Sequence, residues 1–260
     1  MKWTLLFLLL SPSLWARPVV LLSYYDAFGA APFNNSQIIA REIQKLMQDS
    51  SVELRLCALN TVFDKSYNQF EDCLKALDRA PQLVLGLGEA ACEMKIELVG
   101  RNLDKTFGPD NEGQERNNTL IIPHGEKYLG FTYPLSEMYC ALESEERKSI
   151  VVSNSAGSFV CNNTAYQFSH FYPELASGFI HVPANNCQGL EMKNKVIVQK
   201  LVKMIKRGSE FTSGNPTRLP TTKKEIDEAR QSLPRNESCQ QEFFKRARGV
   251  DQRGFWTALN

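Results

Sequence analysis

The chain has 260 residues, of which 43% are hydrophobic, and a formal net charge of +1. That length suits one ample domain with room for an appendage. A charge so close to zero lacks the electrostatic footprint of a nucleic-acid partner or an acidic membrane surface. Met1-Lys2-Trp3, the apolar run Thr4 to Leu10 and the small-residue exit Ser11 to Ala16 read as a signal peptide over residues 1–16. The run is too short to span a bilayer. A secreted or periplasmic protein with no membrane contact after cleavage is the expectation, although Leu14 is imperfect for a cut after Ala16.

Val19 to Leu22 then reads as a buried strand, followed by a loop over residues 23–36. Ser36 is a helix N-cap, and Ile38, Ile39, Ile43, Leu46 and Met47 form one helical face. Val52 to Leu56 alternates as a strand. Ser66 to Ala80 is a second helix, with Phe70, Cys73, Leu74 and Leu77 on its face, and Leu83-Val84-Leu85 is a buried strand. Residues 114–134 are turn-rich, and Leu135 to Leu142 is helical. Ile150 to Val152 is a strand, Cys161 to Phe171 a helix, and the next strand carries His181. Val196, Val198, Leu201, Val202 and Ile205 mark a helix that Gly208 should terminate. Alternating strands and amphipathic helices predict an α/β domain over 17–208, with helices on both faces of a largely parallel or mixed sheet. From Ser209 to Asn260 the composition shifts to Pro, Thr and charge. Thr221, Thr222 and Glu225 form a capping box for one polar helix, Thr221 to Leu233. Residues 209–260 are either a disordered extension or a strap, and Cys239 and Phe243-Phe244 favour the strap.

The stretch from Ser149 to Asn162 carries the chemistry. An apolar strand, a tight turn and a helix beginning at Cys161 place a nucleophile at a helix N-terminus. Unpaired N–H groups and the helix dipole there favour thiolate over thiol. Taken alone, Cys161 fits an inert buried cysteine better. Its neighbours change the reading. Ser153, Ala156, Gly157, Phe159, Val160, Cys161 and Asn162 match the Ser-x-x-Ala-Gly-Thr-Phe-Val-Cys-Asn motif that holds the nucleophile of the pyroglutamyl-peptidase I family of cysteine peptidases, with Ser158 in place of Thr. Gly178-Phe179-Ile180-His181-Val182-Pro183 resembles the stretch that carries that family's base.

The resemblance implies a three-layer α/β/α sandwich and a Cys-His-Glu site of Cys161, His181 and Glu97. Glu97 is placed by Ile96, Val99 and Asn102 and by the downstream Pro109-Asp110-Asn111-Glu112-Gly113; Glu89 and Glu93 are rival carboxylates. It also implies a substrate pocket of Tyr25, Phe28, Asn34, Thr61, Glu89, Phe159 and Val160. In it Tyr25 and Phe28 correspond to two aromatics that sandwich a flat lactam, and Glu89 to a Gln that accepts from the lactam N–H. Leu98 and Phe107 stand where the family has Arg, and Ala91-Cys92-Glu93 where it has Gly-Gly-Arg. These departures keep two alternatives open: an amidase of altered specificity, and a catalytically weak binding protein reusing the pocket. The substrate expected is a small peptide or amide. No metal-ligand spacing or phosphate loop is present and no cofactor is expected; the resemblance also allows a homo-oligomer.

The chain has seven cysteines. With Cys161 as a free nucleophile, Cys57, Cys73, Cys92, Cys140, Cys187 and Cys239 remain, enough for three disulfides of unfixed connectivity. Cys57 and Cys140 also fit buried thiols. Cys239 is expected to tie the tail to the body, with Cys187 its first candidate partner. Asn-x-Ser/Thr sequons start at Asn34, Asn117, Asn162 and Asn236, two of them within the proposed site motifs.

Overall fold

A computed structural model describes residues 16–211, 216–234 and 236–247. The leader over 1–16 therefore lies, except for Ala16, outside the described residues. In chain order the elements are β1 (Val19–Tyr25), α1 (Asn35–Met47), β2 (Glu53–Leu59), α2 (Lys65–Lys75), β3 (Leu83–Glu89), β4 (Met94–Glu97), β5 (Val99–Arg101) and β6 (Tyr128–Gly130). There follow α3 (Leu135–Cys140), α4 (Ser144–Arg147), β7 (Ile150–Ser153), α5 (Val160–Phe171), β8 (Ser177–Val182), α6 (Leu190–Glu210), α7 (Lys223–Ser232) and α8 (Ser238–Arg246). No helix among the described residues is long and apolar enough to cross a membrane.

Six strands form one sheet in the order β2-β1-β3-β8-β4-β7. Every neighbouring pair is parallel except β4 with β8. The strands β1, β3 and β8 are buried along nearly their whole length, as expected of parallel strands covered on both faces. The helices α1, α3 and α6 pack together in one layer, and α2 packs with α5 in the other. This is the α/β sandwich anticipated from the sequence, with a mixed sheet. A separate antiparallel pair of β5 and β6, the second of which the turn-rich composition of 114–134 concealed, lies against α5.

Three helix boundaries differ from expectation. The first helix is capped by Asn34 and not by Ser36, which lies inside it and donates its N–H to the Asn34 side chain. The second helix stops at Lys75 instead of Ala80, because Ala76 and Leu77 close the last turn onto Asp72 and Leu74. The helix α6 continues through Gly208 to Glu210. Gly208 serves packing there: a Cβ would come within 3.0 Å of the Met138 sulfur and 3.1 Å of Leu83. The tail is a strap across the body. Leu219 donates its N–H to the Phe131 carbonyl and Arg218 reaches the carbonyls of Gly130 and Ser169. A Cβ at Gly130 would run into the Leu219 carbonyl. The capping box of Thr222 and Glu225 starts α7, as expected.

The disulfides are Cys57–Cys73, Cys92–Cys187 and Cys140–Cys239, leaving Cys161 as the free cysteine. The tail is thus bonded to the body, but through Cys140 and not Cys187. The reason is packing: α8 lies on α3, which ends in Cys140, and Phe243 meets Tyr139 with ring centroids 5.4 Å apart. Cys187 instead closes the loop after β8 onto the β3–β4 turn.

Candidate active site

Strand register builds the site. Ser23 pairs with Gly86, and Gly88 pairs with His181. Two residues beyond Ser23 and Gly86 stand Tyr25 and Gly88, so Tyr25, Gly88 and His181 share one row and one face of the sheet. The nucleophile candidate lies over the middle of that row: a Cβ on Gly88 would be 2.7 Å from the Cys161 sulfur and 3.0 Å from the Phe179 ring. A glycine is required here for room.

Cys161 is the second residue of α5, whose N-cap residue Phe159 supplies no side-chain cap. The first-turn N–H groups stay available, together with the positive end of the helix dipole. The turn before the helix bends at Gly157, φ +88°. Asn162, fully buried, fixes the helix start by accepting from the Arg101 N–H at 2.8 Å and donating to the carbonyls of Arg101 and Leu103.

His181 is 5% exposed and its Nδ1 lies 2.8 Å from Oε1 of the fully buried Glu97. Burial opposes charge on the imidazole, but hydrogen bonds to Cys161 and Glu97 and the negative charge at both outweigh it, and the pKa is pushed up to about 9. The rival carboxylates are elsewhere. Glu93 is exposed. Glu89 turns its carboxylate to the start of α1, accepting from the Asn35 N–H at 2.7 Å and from Asn185 Nδ2 at 3.4 Å. Burial raises its pKa, and those hydrogen bonds oppose the shift.

The residues expected to recognise substrate separate into two groups. Phe28 and Phe159 are partly exposed beside the nucleophile turn, their rings 5.1 Å apart, and Phe63 closes on Phe159 at 5.2 Å. Tyr25, Asn34, Thr61 and Val160 are buried. Asn34 caps α1, its Oδ1 accepting from the N–H and hydroxyl of Ser36. Thr61 is bound by Asp26 through its N–H and its hydroxyl. Leu98 is buried in the core and Phe107 is 97% exposed.

Several contributors escaped the sequence reading. Asp110 accepts from the N–H groups of Phe63, Glu112 and Gln114, and Asn111 joins Gly29 to the Ala27 carbonyl. Lys105 and Ser158 exchange hydrogen bonds, so the 102–119 loop is tied to the nucleophile turn. Tyr133 donates to the Glu97 carbonyl at 2.6 Å. Phe179 packs its ring edge-on to His181 at 5.0 Å. The Pro109-Asp110-Asn111-Glu112-Gly113 run was the one signal of this brace. Among the described residues no group of three or more His, Cys, Asp or Glu is placed to hold a metal ion.

The pyroglutamyl peptidase family model matches residues 19–213. The pyrrolidone-carboxylate peptidase of Thermosipho africanus (strain TCF52B) is 31% identical over 201 residues, covering 72% of this chain and 95% of that protein. The one from Streptococcus suis (strain 05ZYH33) is 30% identical over 170 residues, covering 63% and 77%. Bacillus amyloliquefaciens pyroglutamyl peptidase I shares the fold in its crystal structure, with a TM-score of 0.65 at 24% identity, over 75% of this chain and 98% of that one. The chain is a member of the pyroglutamyl peptidase family of cysteine peptidases.

Proposed function

We propose that this protein is an exported exopeptidase that releases an N-terminal pyroglutamyl residue through a thioester on Cys161. The observation that carries the reading is His181 held on Glu97 at 2.8 Å, with the sulfur of Cys161, at the start of α5, over Gly88, the residue that pairs with His181. The Cys161 sulfur attacks the carbonyl that joins pyroglutamate to the next residue. Before the attack His181 already holds the proton given up by Cys161, as an imidazolium stabilised by Glu97. The oxyanion forms beside the first-turn N–H groups of α5. His181 then gives the proton to the leaving amine as the C–N bond breaks, leaving a thioester. Water, deprotonated by His181, hydrolyses the thioester and frees pyroglutamate and the thiol. The flat, uncharged lactam suits the aromatic faces of Phe28 and Phe159, and a peptide with a free charged amine would be poorly matched to them.

Export is supported by the leader-like start and by six cysteines in three disulfides, the usage of an oxidising compartment. The sequons at Asn34 and Asn162 fall on buried side chains with structural hydrogen bonds.

The test is hydrolysis of a pyroglutamyl aminocoumarin amide beside the prolyl and glutaminyl amides. The reading expects cleavage of the first alone, abolished in Cys161→Ala. Equal cleavage of the glutaminyl amide, or none of the pyroglutamyl amide, would overturn it.

A further inference from the structure

Phe28 and Phe159 leave no room for a lactam between them as the two rings stand. Their centroids are 5.1 Å apart and the rings are inclined at 64°. A flat ring held between two aromatic faces needs about 7 Å, the sum of two contacts of about 3.5 Å. One of the rings must therefore move. Phe159 is the N-cap residue of α5 and is braced from behind by the buried Phe63, 5.2 Å away. Phe28 is 39% exposed, and among the described residues its ring contact is with Phe159. Phe28 is the ring free to move.

The backbone beneath that ring is pinned. Asn111 donates from Nδ2 to the Ala27 carbonyl at 2.7 Å, and its Oδ1 accepts from the Gly29 N–H at 3.0 Å. One side-chain amide thus brackets Phe28 on both sides. Asn111 is itself fixed, since its N–H is bound to the Thr61 carbonyl at 3.1 Å and the neighbouring Asp110 is buried and holds three N–H groups. Among the described residues, these bonds from Asn111 are the ones that tie residues 27–32 to the body. The bond from the Ala31 N–H to the Phe28 carbonyl only closes the turn, in which Gly29 takes φ +57°. The Asp26 carboxylate, 3.4 Å from Asn111 Nδ2, is already taken by Asn60 and Thr61.

We propose that Asn111 is a positioning residue that pins the pivot of an aromatic gate: with the backbone fixed at Ala27 and Gly29, the Phe28 ring swings off Phe159 to admit the lactam and closes over it. A pinned pivot confines the movement to side-chain rotation, which is fast in an exposed residue. It also spares the site the entropy of ordering a loop each time substrate binds. The occupant of the gate rests on the pyroglutamyl reading above, whereas the bracket does not.

The experiment joins a reporter to a double-mutant cycle in the full chain. Phe28→Trp puts an indole at the gate. The native tryptophans, Trp3, Trp15 and Trp256, lie outside the described residues, and the parent protein supplies their background. Without any ligand, adding Asn111→Ala should raise the quenching of the new indole by acrylamide. The unreactive lactam 2-pyrrolidone should lower that quenching while Asn111 is present. In the cycle, on a pyroglutamyl aminocoumarin amide, Asn111→Ala should raise KM about fivefold with kcat kept, the weight of exposed hydrogen bonds. Phe28→Ala should raise KM about tenfold, since it removes an aromatic face. The pair together should be no worse than Phe28→Ala alone, because the bracket then has no ring to place. A pair whose effects multiply to about fiftyfold would show Asn111 acting independently of Phe28 and overturn the proposal. Quenching unchanged by Asn111→Ala would overturn it as well. An indole loosened by Asn111→Ala but blind to 2-pyrrolidone would uphold the bracket and reject the lactam as the occupant of the gate.

Discussion

The row proposed to carry the chemistry and the wall proposed to face the substrate are built by different means. Glu97, His181, Gly88 and Tyr25 sit on neighbouring strands of one buried sheet, so ladder register fixes their separations. The wall of Phe28, Phe63 and Phe159 stands on loops that have no ladder. It is held by two carboxylates and an amide: Asp26 grips Thr61, Asp110 grips Phe63, and Asn111 joins Gly29 and Ala27 to Thr61. A sheet resists displacement cooperatively, whereas a hydrogen-bonded brace yields one bond at a time. The chemistry should therefore fail through geometry at single atoms in the row, and affinity should fail through loosening of the wall.

Glu97→Gln should have the largest effect. It keeps the shape but removes the charge that orients His181 and stabilises its imidazolium. A loss in kcat of up to about 10⁴-fold is expected, the size of the equivalent change in serine-peptidase triads. A loss of tenfold or less would separate Glu97 from the chemistry. Gly88→Ala comes next. Its Cβ would sit 2.7 Å from the Cys161 sulfur, so the sulfur must move, and a fall in kcat of about 10²-fold is expected. Unchanged kcat would show that the row has slack.

Asp110→Ala breaks the wall and leaves the row alone. Three N–H groups lose their acceptor, and we expect KM to rise about tenfold with kcat nearly kept. Loss of kcat alone would show that the loop acts on the chemistry directly.

The pH effect is the gentlest. His181 has a folded pKa of about 9, raised from 6.5, so its imidazolium persists through neutrality. The leaving amine needs that proton, and kcat/KM should fall as pH rises through about 9, approaching tenfold for each further unit. The same sign holds for folding. The stabilisation from His181 is complete below pH 6.5 and lost as pH rises through about 9, which thermal unfolding at pH 6 and pH 10 would register.

The row was the more legible region for the same physical reason that makes it rigid. Glycines, a buried strand and a helix start must appear close in sequence to the groups they aim, as around Cys161 and His181. Glu97 was harder to place because the turn between β3 and β4 departs from the family pattern; its Ala91 adopts φ +54° and its Cys92 is bonded to Cys187. Asn34 and Thr61 were expected at the substrate, but their side chains are committed to α1 and Asp26, a local competition that no motif displays. The brace of Asp26, Asp110 and Asn111 joins residues up to 85 positions apart. Such long-range pairs leave no periodicity. The partner of Cys239 was hidden likewise, because the packing of α8 on α3 selects Cys140, and residue spacing carries no record of that choice.

The most direct measurement is to trap the acyl-enzyme. The protein would be mixed with a pyroglutamyl aminocoumarin amide, quenched in acid within the first turnover, and mapped by mass spectrometry beside Cys161→Ala. The account predicts a pyroglutamyl thioester on the peptide containing Cys161, formed as fast as coumarin is released and absent from the variant. Coumarin release with no adduct at Cys161, or continued release by Cys161→Ala, would contradict it.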